Sequence, residues 1–153
     1  MKNDFLGKLH AVANKDKTSS INNILIRSGK AVATDGYILA IRTIEYAGPD
    51  VMIPNDTAKA AAKQGTLESD CVNVNGVKHP FCRDDIGQFP PYERIIPENE
   101  GGFEVTLNAN FLKRLVDAIS SNGEVTLRFG ADRNRSIVVI SDEGSGIIMP
   151  VRG

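Results

Sequence analysis

The apolar positions fall in short blocks whose period alternates between helix and strand. Phe5, Leu6, Leu9, Val12 and Ala13 recur at helical spacing and predict a helix over 4–13, with Lys8 and Lys15 off its stripe. After the polar KDKTSS loop (15–20), INNILIRS (21–28) reads as a strand and Ser28-Gly29-Lys30 as a turn. Residues 31–35 and 37–44 read as strand on either side of a break or bulge at Gly36. VMIP (51–54) is a short strand, and Asn55 is the N-cap of a helix over 56–64 that stops at Gly65. That helix buries a face of alanines, so it must pack closely; Lys59 and Lys63, four apart, share its exposed face. Residues 70–74 and 77–83 flank Asn75-Gly76, a type I′ hairpin signal. A Pro-rich stretch, FPPYERIIP (89–97), and an acidic loop, ENEGG (98–102), follow.

FEVTL (103–107) reads as a strand, and Asn108 caps a helix over about 109–119. Phe111, Leu112, Leu115, Val116 and Ile119 form its stripe, with Lys113 and Arg114 pointing away beside Asp117. EVTLRFG (124–130), SIVVIS (136–141) and GIIMPV (146–151) are three further strands. Strand, helix, then two or three strands thus occurs three times, the helices starting near 4, 56 and 109. That order predicts an α+β fold with antiparallel sheets and helices on one face.

At 153 residues with 41% hydrophobic content, the chain can build its core without disulfides or metal. No apolar run approaches the ~18 residues of a membrane span. The start, MKNDFLGKLH, has no signal-peptide core, so a cytoplasmic protein away from membranes is expected. The hairpin pairs 71 with 80, which leaves Cys82 a diagonal neighbour of Cys71 at about 7–8 Å, too far for a disulfide. With His79 these thiols still lack a fourth zinc ligand, so the expectation is two partly buried cysteines, no metal and no cofactor. Asp84 and Asp85 are adjacent and would face opposite sides of a strand. No nucleophile, base and orienter set is present, which argues against an enzyme. Charge is uneven: residues 1–30 carry six basic against two acidic residues, and residues 67–104 three against eight. Such asymmetry steers a polyanion to one face, though the same runs also read as solvated loops and helix faces.

Three segments taken in order carry more information. ILIRSGKAVATDGYILA (24–40), IGQFPPYERIIP (86–97) and IIMPVRG (147–153) resemble, respectively, the A-T-D-G-x-x-L-A strand pair, the G-x-F-P-D-Y connector and the closing V-M-P-M-R of the bacterial sliding clamp, the DNA polymerase III β subunit. EVTLNANFLKRLVDAI (104–119) is similar to the strand and helix opening the clamp's last half-domain. The resemblance implies a DNA-clamp-like fold of repeated βαβββ units, one domain of two units over 1–97 without an evident first strand, and a half-domain over 98–153.

The resemblance also implies a pocket for short peptides with terminal hydrophobics, of the kind carried by DNA polymerase or clamp-loader subunits. Its lining would be Thr34, Gly36, Tyr37, Ile38 and Leu39; Pro90, Arg94 and Ile95; and Ile148, Met149, Pro150, Val151 and Arg152. Apolar side chains would form the cleft, Met149 adapting to varied partners, while Arg94 and Arg152 hydrogen-bond carbonyls. Tyr37-Ile38 replaces the family's usual H-R pair, and Pro91 its usual Asp, which alters the peptide preference. The helix cations Lys8, Lys15, Lys59, Lys63, Lys113 and Arg114 would face the phosphates of double-stranded DNA without reading sequence. The expected function is that of a processivity factor in DNA replication, encircling DNA as a homo-oligomer because three units are too few for one chain to close. The alternative is a non-encircling module that competes for or recruits clamp partners.

Overall fold

The computed structural model describes residues 6–84, 86–98, 102 and 104–151. The chain divides into two units, Met1–Ile96 and Pro97–Gly153. Both combine antiparallel sheet with helix.

The first unit is built on a four-stranded antiparallel sheet. Its strands are β1 (Asn23–Arg27), β2 (Lys30–Thr34), β3 (Leu39–Thr43) and β4 (Val51–Pro54), in the order β3-β2-β1-β4. β1 pairs with β2 through Leu25↔Val32 and with β4 through Leu25↔Met52. Ile24, Leu25 and Ile26 are consecutive and all fully buried, so both faces of this sheet are covered. On one face Ile24, Ile26, Ala31, Ala33, Val51 and Ile53 pack with Leu6, Leu9, Ala58 and Ala61. On the other, Leu25, Val32 and Met52 pack with Phe89 and Tyr92 of the connector.

β4 runs directly into helix α1 (Asn55–Gln64). Pro54 occupies the cap position, and Asn55 is already helical, with its Oδ1 buried and unpartnered. The expected cap at Asn55 is therefore corrected: a helix entered straight from a paired strand leaves no free turn for a capping side chain. Ala58 and Ala61 are the buried face, and Lys59 and Lys63 are exposed. The helix ends at Gly65, in extended backbone. A Cβ there would lie 2.4 Å from Ala61 Cβ and 2.7 Å from its carbonyl oxygen, so the tight exit requires glycine. A second sheet follows, β5 (Gly65–Leu67), β6 (Cys71–Val74) and β7 (Val77–Pro80), in the order β5-β6-β7. Asn75 and Gly76 both have positive φ, 53° and 83°, and the register places Cys71 opposite Pro80. Cys82 lies instead in a bridge to Met52, and both thiols are free.

The second unit holds helix α2 (Ala109–Ile119) and the strands β8 (Thr126–Arg128), β9 (Ile137–Ile140) and β10 (Ser145–Ile148), ordered β10-β9-β8. Asn108 Oδ1 accepts from the backbone N–H groups of Asn110 and Phe111, a true N-cap. Leu112, Leu115 and Ile119 cover Ile137, Val139 and Ile148. Gly146 admits this helix: a Cβ there would stand 2.5 Å from Leu115 Cδ1.

Two expected elements differ, and one element was not expected. The helix over 4–13 starts outside the described residues; residues 6–13 form a turn and one 3-10 turn at Leu9–Ala11. Gly7 at φ +53° breaks the helical run, and the Arg42 guanidinium fills the space a side chain there would need. Leu6, Leu9 and Ala13 are nevertheless buried, as their spacing predicted. Over 104–107 there is no ladder: Val151 N–H donates to the Thr106 oxygen at 2.8 Å, while Val105 and Leu107 pack on the core; Phe103 lies outside the described residues. Lastly, β5 is a strand where only a helix stop was expected. Among the described residues no helix is long and apolar enough to cross a membrane.

Candidate functional site

The turn joining β2 to β3 is set by two side chains. Thr34, 7% exposed, donates from Oγ1 to the Ile38 carbonyl at 2.7 Å and accepts from Gly36 N–H at 3.1 Å. Asp35 Oδ1 accepts from the N–H groups of Tyr37 and Ile38 at 2.8 and 2.9 Å. Those donors hold the Asp35 carboxyl below its ordinary value, the Ile38 bond contributing most. Gly36 supplies φ +96°. This latch pushes Tyr37 and Ile38 into solvent, Tyr37 being 96% exposed. Leu39 turns the other way and packs beside Val32, Phe89 and Tyr92.

The connector lies on that same face of the sheet. It forms 3-10 turns at Ile86–Gln88 and Tyr92–Arg94, with Phe89 and Tyr92 buried. Arg27 Nε pairs with Asp50 at 2.7 Å, and its Nη1 reaches Glu93 at 3.4 Å. Pro90, Arg94 and Ile95 are exposed beyond these anchors. The expected first-unit residues thus separate into support and surface. Thr34 and Leu39 hold the turn and the sheet; Gly36, Tyr37, Ile38, Pro90, Arg94 and Ile95 are presented.

In the second unit Ile148 belongs to the core, Pro150 is half-buried, and Met149 and Val151 are exposed. Arg152 lies outside the described residues. Met149 and Val151 share an apolar groove with Phe111, Leu115 and Ile147. Helical spacing had assigned Phe111 to the core, yet it is 56% exposed, on the first turn of α2. Its spacing alone could not show that it lines an open groove beside Ile147 and Met149 instead of closing the core.

The six expected cation positions are all exposed. Lys59 and Lys63 lie on α1, and Lys113 and Arg114 on α2, where Lys113 pairs with Asp117. Lys8 and Lys15 do not lie on an α-helix, which corrects that part of the expectation: residues 6–15 are turns.

Glu68, Asp70 and Cys71 place ligand-type atoms within 4.8 Å of one another. The Glu68 carboxyl is already taken up by the Asn73 amide at 2.9 Å and Lys78 Nζ at 3.0 Å. These partners, with the Cys71 thiol, pull it down to about 2. Burial and the neighbouring Glu68 push the Cys71 thiol up to about 11, the opposite of a thiolate ligand. No protein-family model matches the chain, and no curated protein matches it.

Proposed function

We propose that the chain is a clamp-like accessory protein of DNA replication, related to the bacterial polymerase III β subunit, that captures short peptides ending in hydrophobic residues. One observation carries this reading. Tyr37, Ile38, Ile95, Met149 and Val151, chosen by the resemblance, are all large apolar side chains held in solvent. Tyr37 and Ile38 are held there by the Thr34–Asp35 latch. Contiguous exposed apolar groups mark a binding surface more often than scattered ones do, and Met149 and Val151 share one groove with Phe111 and Ile147. The order of elements also supports it: α1 is followed by the β5-β6-β7 meander and α2 by β8-β9-β10.

The test is a polarisation titration with a labelled peptide carrying a glutamine followed by terminal hydrophobics. Saturable binding that Tyr37→Ala and Met149→Ala each weaken is the expected result. No saturation at high micromolar protein sinks the proposal. The DNA-contact part of the reading uses Lys59, Lys63 and Arg114. It calls for duplex affinity that falls with salt at a slope of about −0.9 per phosphate contact and is indifferent to sequence.

A further inference from the structure

Among the described residues, the sheet of the second unit has an open side at β8. In the first unit β4 flanks β1, and Ile24 and Ile26 there are 0% exposed. β8 is a sheet edge, and Thr126, Leu127 and Arg128 are all exposed, Leu127 by 36%. An exposed edge strand is a template for another strand.

The hydrogen-bond phase shows which groups it offers. Ser141 N–H donates to the Gly144 oxygen, so the odd positions of β9 are bonded to β10. The even positions Val138 and Ile140 then bond Arg128 and Thr126, their partners in register. That leaves the backbone N–H and C=O of Leu127 pointing away from the sheet. The Glu124 backbone is occupied locally: its N–H donates to Asn122 Oδ1 and its oxygen accepts from Ser120 Oγ. A new strand must therefore bond at Val125 and Leu127.

We infer that β8 pairs antiparallel with β8 of a second copy of this chain, about a two-fold axis at Thr126. This register places Val125 opposite Leu127 of the partner copy, twice, in the hydrogen-bonded positions. It places Glu124 opposite Arg128 of the partner copy, also twice. The sequence EVTLR (124–128) is thus self-complementary in shape, charge and hydrogen-bond phase. Glu124 and Arg128 have no ion-pair partner among the described residues. They cannot meet along their own strand, where four residues span about 13 Å. This inference does not rest on peptide capture.

The experiment is light scattering behind size exclusion on the full chain, repeated over a range of concentrations. The expected mass at high concentration is twice the 16.5 kDa of one chain. Arg128→Glu and Glu124→Arg each turn both pairs repulsive, and each should weaken the dimer about tenfold or more. Mixing the two single variants restores opposite charges across the axis, so the mixture should dimerise where neither variant does alone. Circular dichroism of each variant confirms that it is folded. Leu127→Pro removes the outward N–H while sparing the ladder to β9, and should leave a monomer. A wild-type monomer at every concentration overturns the inference. So does a dimer indifferent to the charge reversals, or a mixture that stays monomeric.

Discussion

Thr34→Val keeps the shape of the side chain and removes one oxygen. Two hydrogen bonds go with it, to the Ile38 carbonyl and from the Gly36 N–H. At about 0.5–1.5 kcal/mol net for each bond, the loss is about 1–3 kcal/mol. The lower half of that range is expected, because Gly36 and Ile38 are exposed and water can replace part of what is lost. For the whole 153-residue chain unfolding together, each kcal/mol moves the melting temperature by about 2–4 °C. Thr34→Ser keeps the hydroxyl and gives up a methyl in a buried position, so it should retain most of the latch. Thermal and urea unfolding followed by circular dichroism measure both variants, and the peptide titration should rank them in the same order. If Thr34→Val melts with the wild type, the latch does not hold the turn. If valine and serine variants fall equally, packing of the methyl, not the two bonds, is what Thr34 contributes.

Gly65→Ala should cost about 1–3 kcal/mol in urea unfolding, because its Cβ collides with Ala61 at the exit of α1. Gly87→Ala, with nothing within 4 Å, should be near neutral, and equal costs at the two sites would refute the close approach. Glu68 has its carboxyl lowered from 4.5 to about 2, so the stabilisation it gives is complete above 4.5 and fades as pH falls from 4.5 towards 2. Acid unfolding midpoints should show that slope, and Glu68→Gln should flatten it. Cys71, with its thiol near 11 and buried, should resist iodoacetamide at pH about 8 in a Cys82→Ser background and react once urea is added. Mass spectrometry reads the difference, and fast labelling of the native protein would count against the burial.

What was legible in the sequence is what local chemistry decides. Asn75-Gly76 specified its turn because both residues adopt positive φ at little cost, and the register of Cys71 with Pro80 followed from it. Asn108 specified its cap because the chain arrives there in an extended form with free N–H groups ahead. Asn55 looks the same in sequence, but β4 is paired up to Pro54, so the helix begins one residue early. The helix over 4–13 was misread where a distant side chain intervened. The spacing correctly marked Leu6, Leu9 and Ala13 as buried, whereas Gly7 and the Arg42 packed against it set the backbone. β5 was missed because three residues give no period to detect. At the candidate site the sequence could not separate Thr34 and Leu39, which support the β2–β3 turn and its sheet, from the exposed Tyr37 and Ile38, or the core residue Ile148 from the exposed Met149, because each division depends on which face of that unit's own sheet is covered.

The connector shows which forces present that surface. Two kinds of anchor tie residues 86–96 to the four-stranded sheet. The ionic one is Glu93 with Arg27, which is itself held by Asp50, at side-chain exposures of 50%, 29% and 41%. Exposed pairs of this kind contribute about 0–1 kcal/mol each and weaken with salt. The apolar one is Phe89 and Tyr92, both buried against Leu25, Val32 and Met52. Truncating a buried aromatic costs about 3–5 kcal/mol, several times the ionic contribution. The aromatics therefore hold the connector down, and the Arg27–Glu93 pair adds a weaker contact at its second 3-10 turn. Ile95 and Ile96 follow that turn at once and remain exposed, so their position comes from the anchors, with no core of their own to bury them. A surface supported in this way keeps its apolar groups available while the chain beneath them stays folded, which is the condition a peptide-capturing site has to meet.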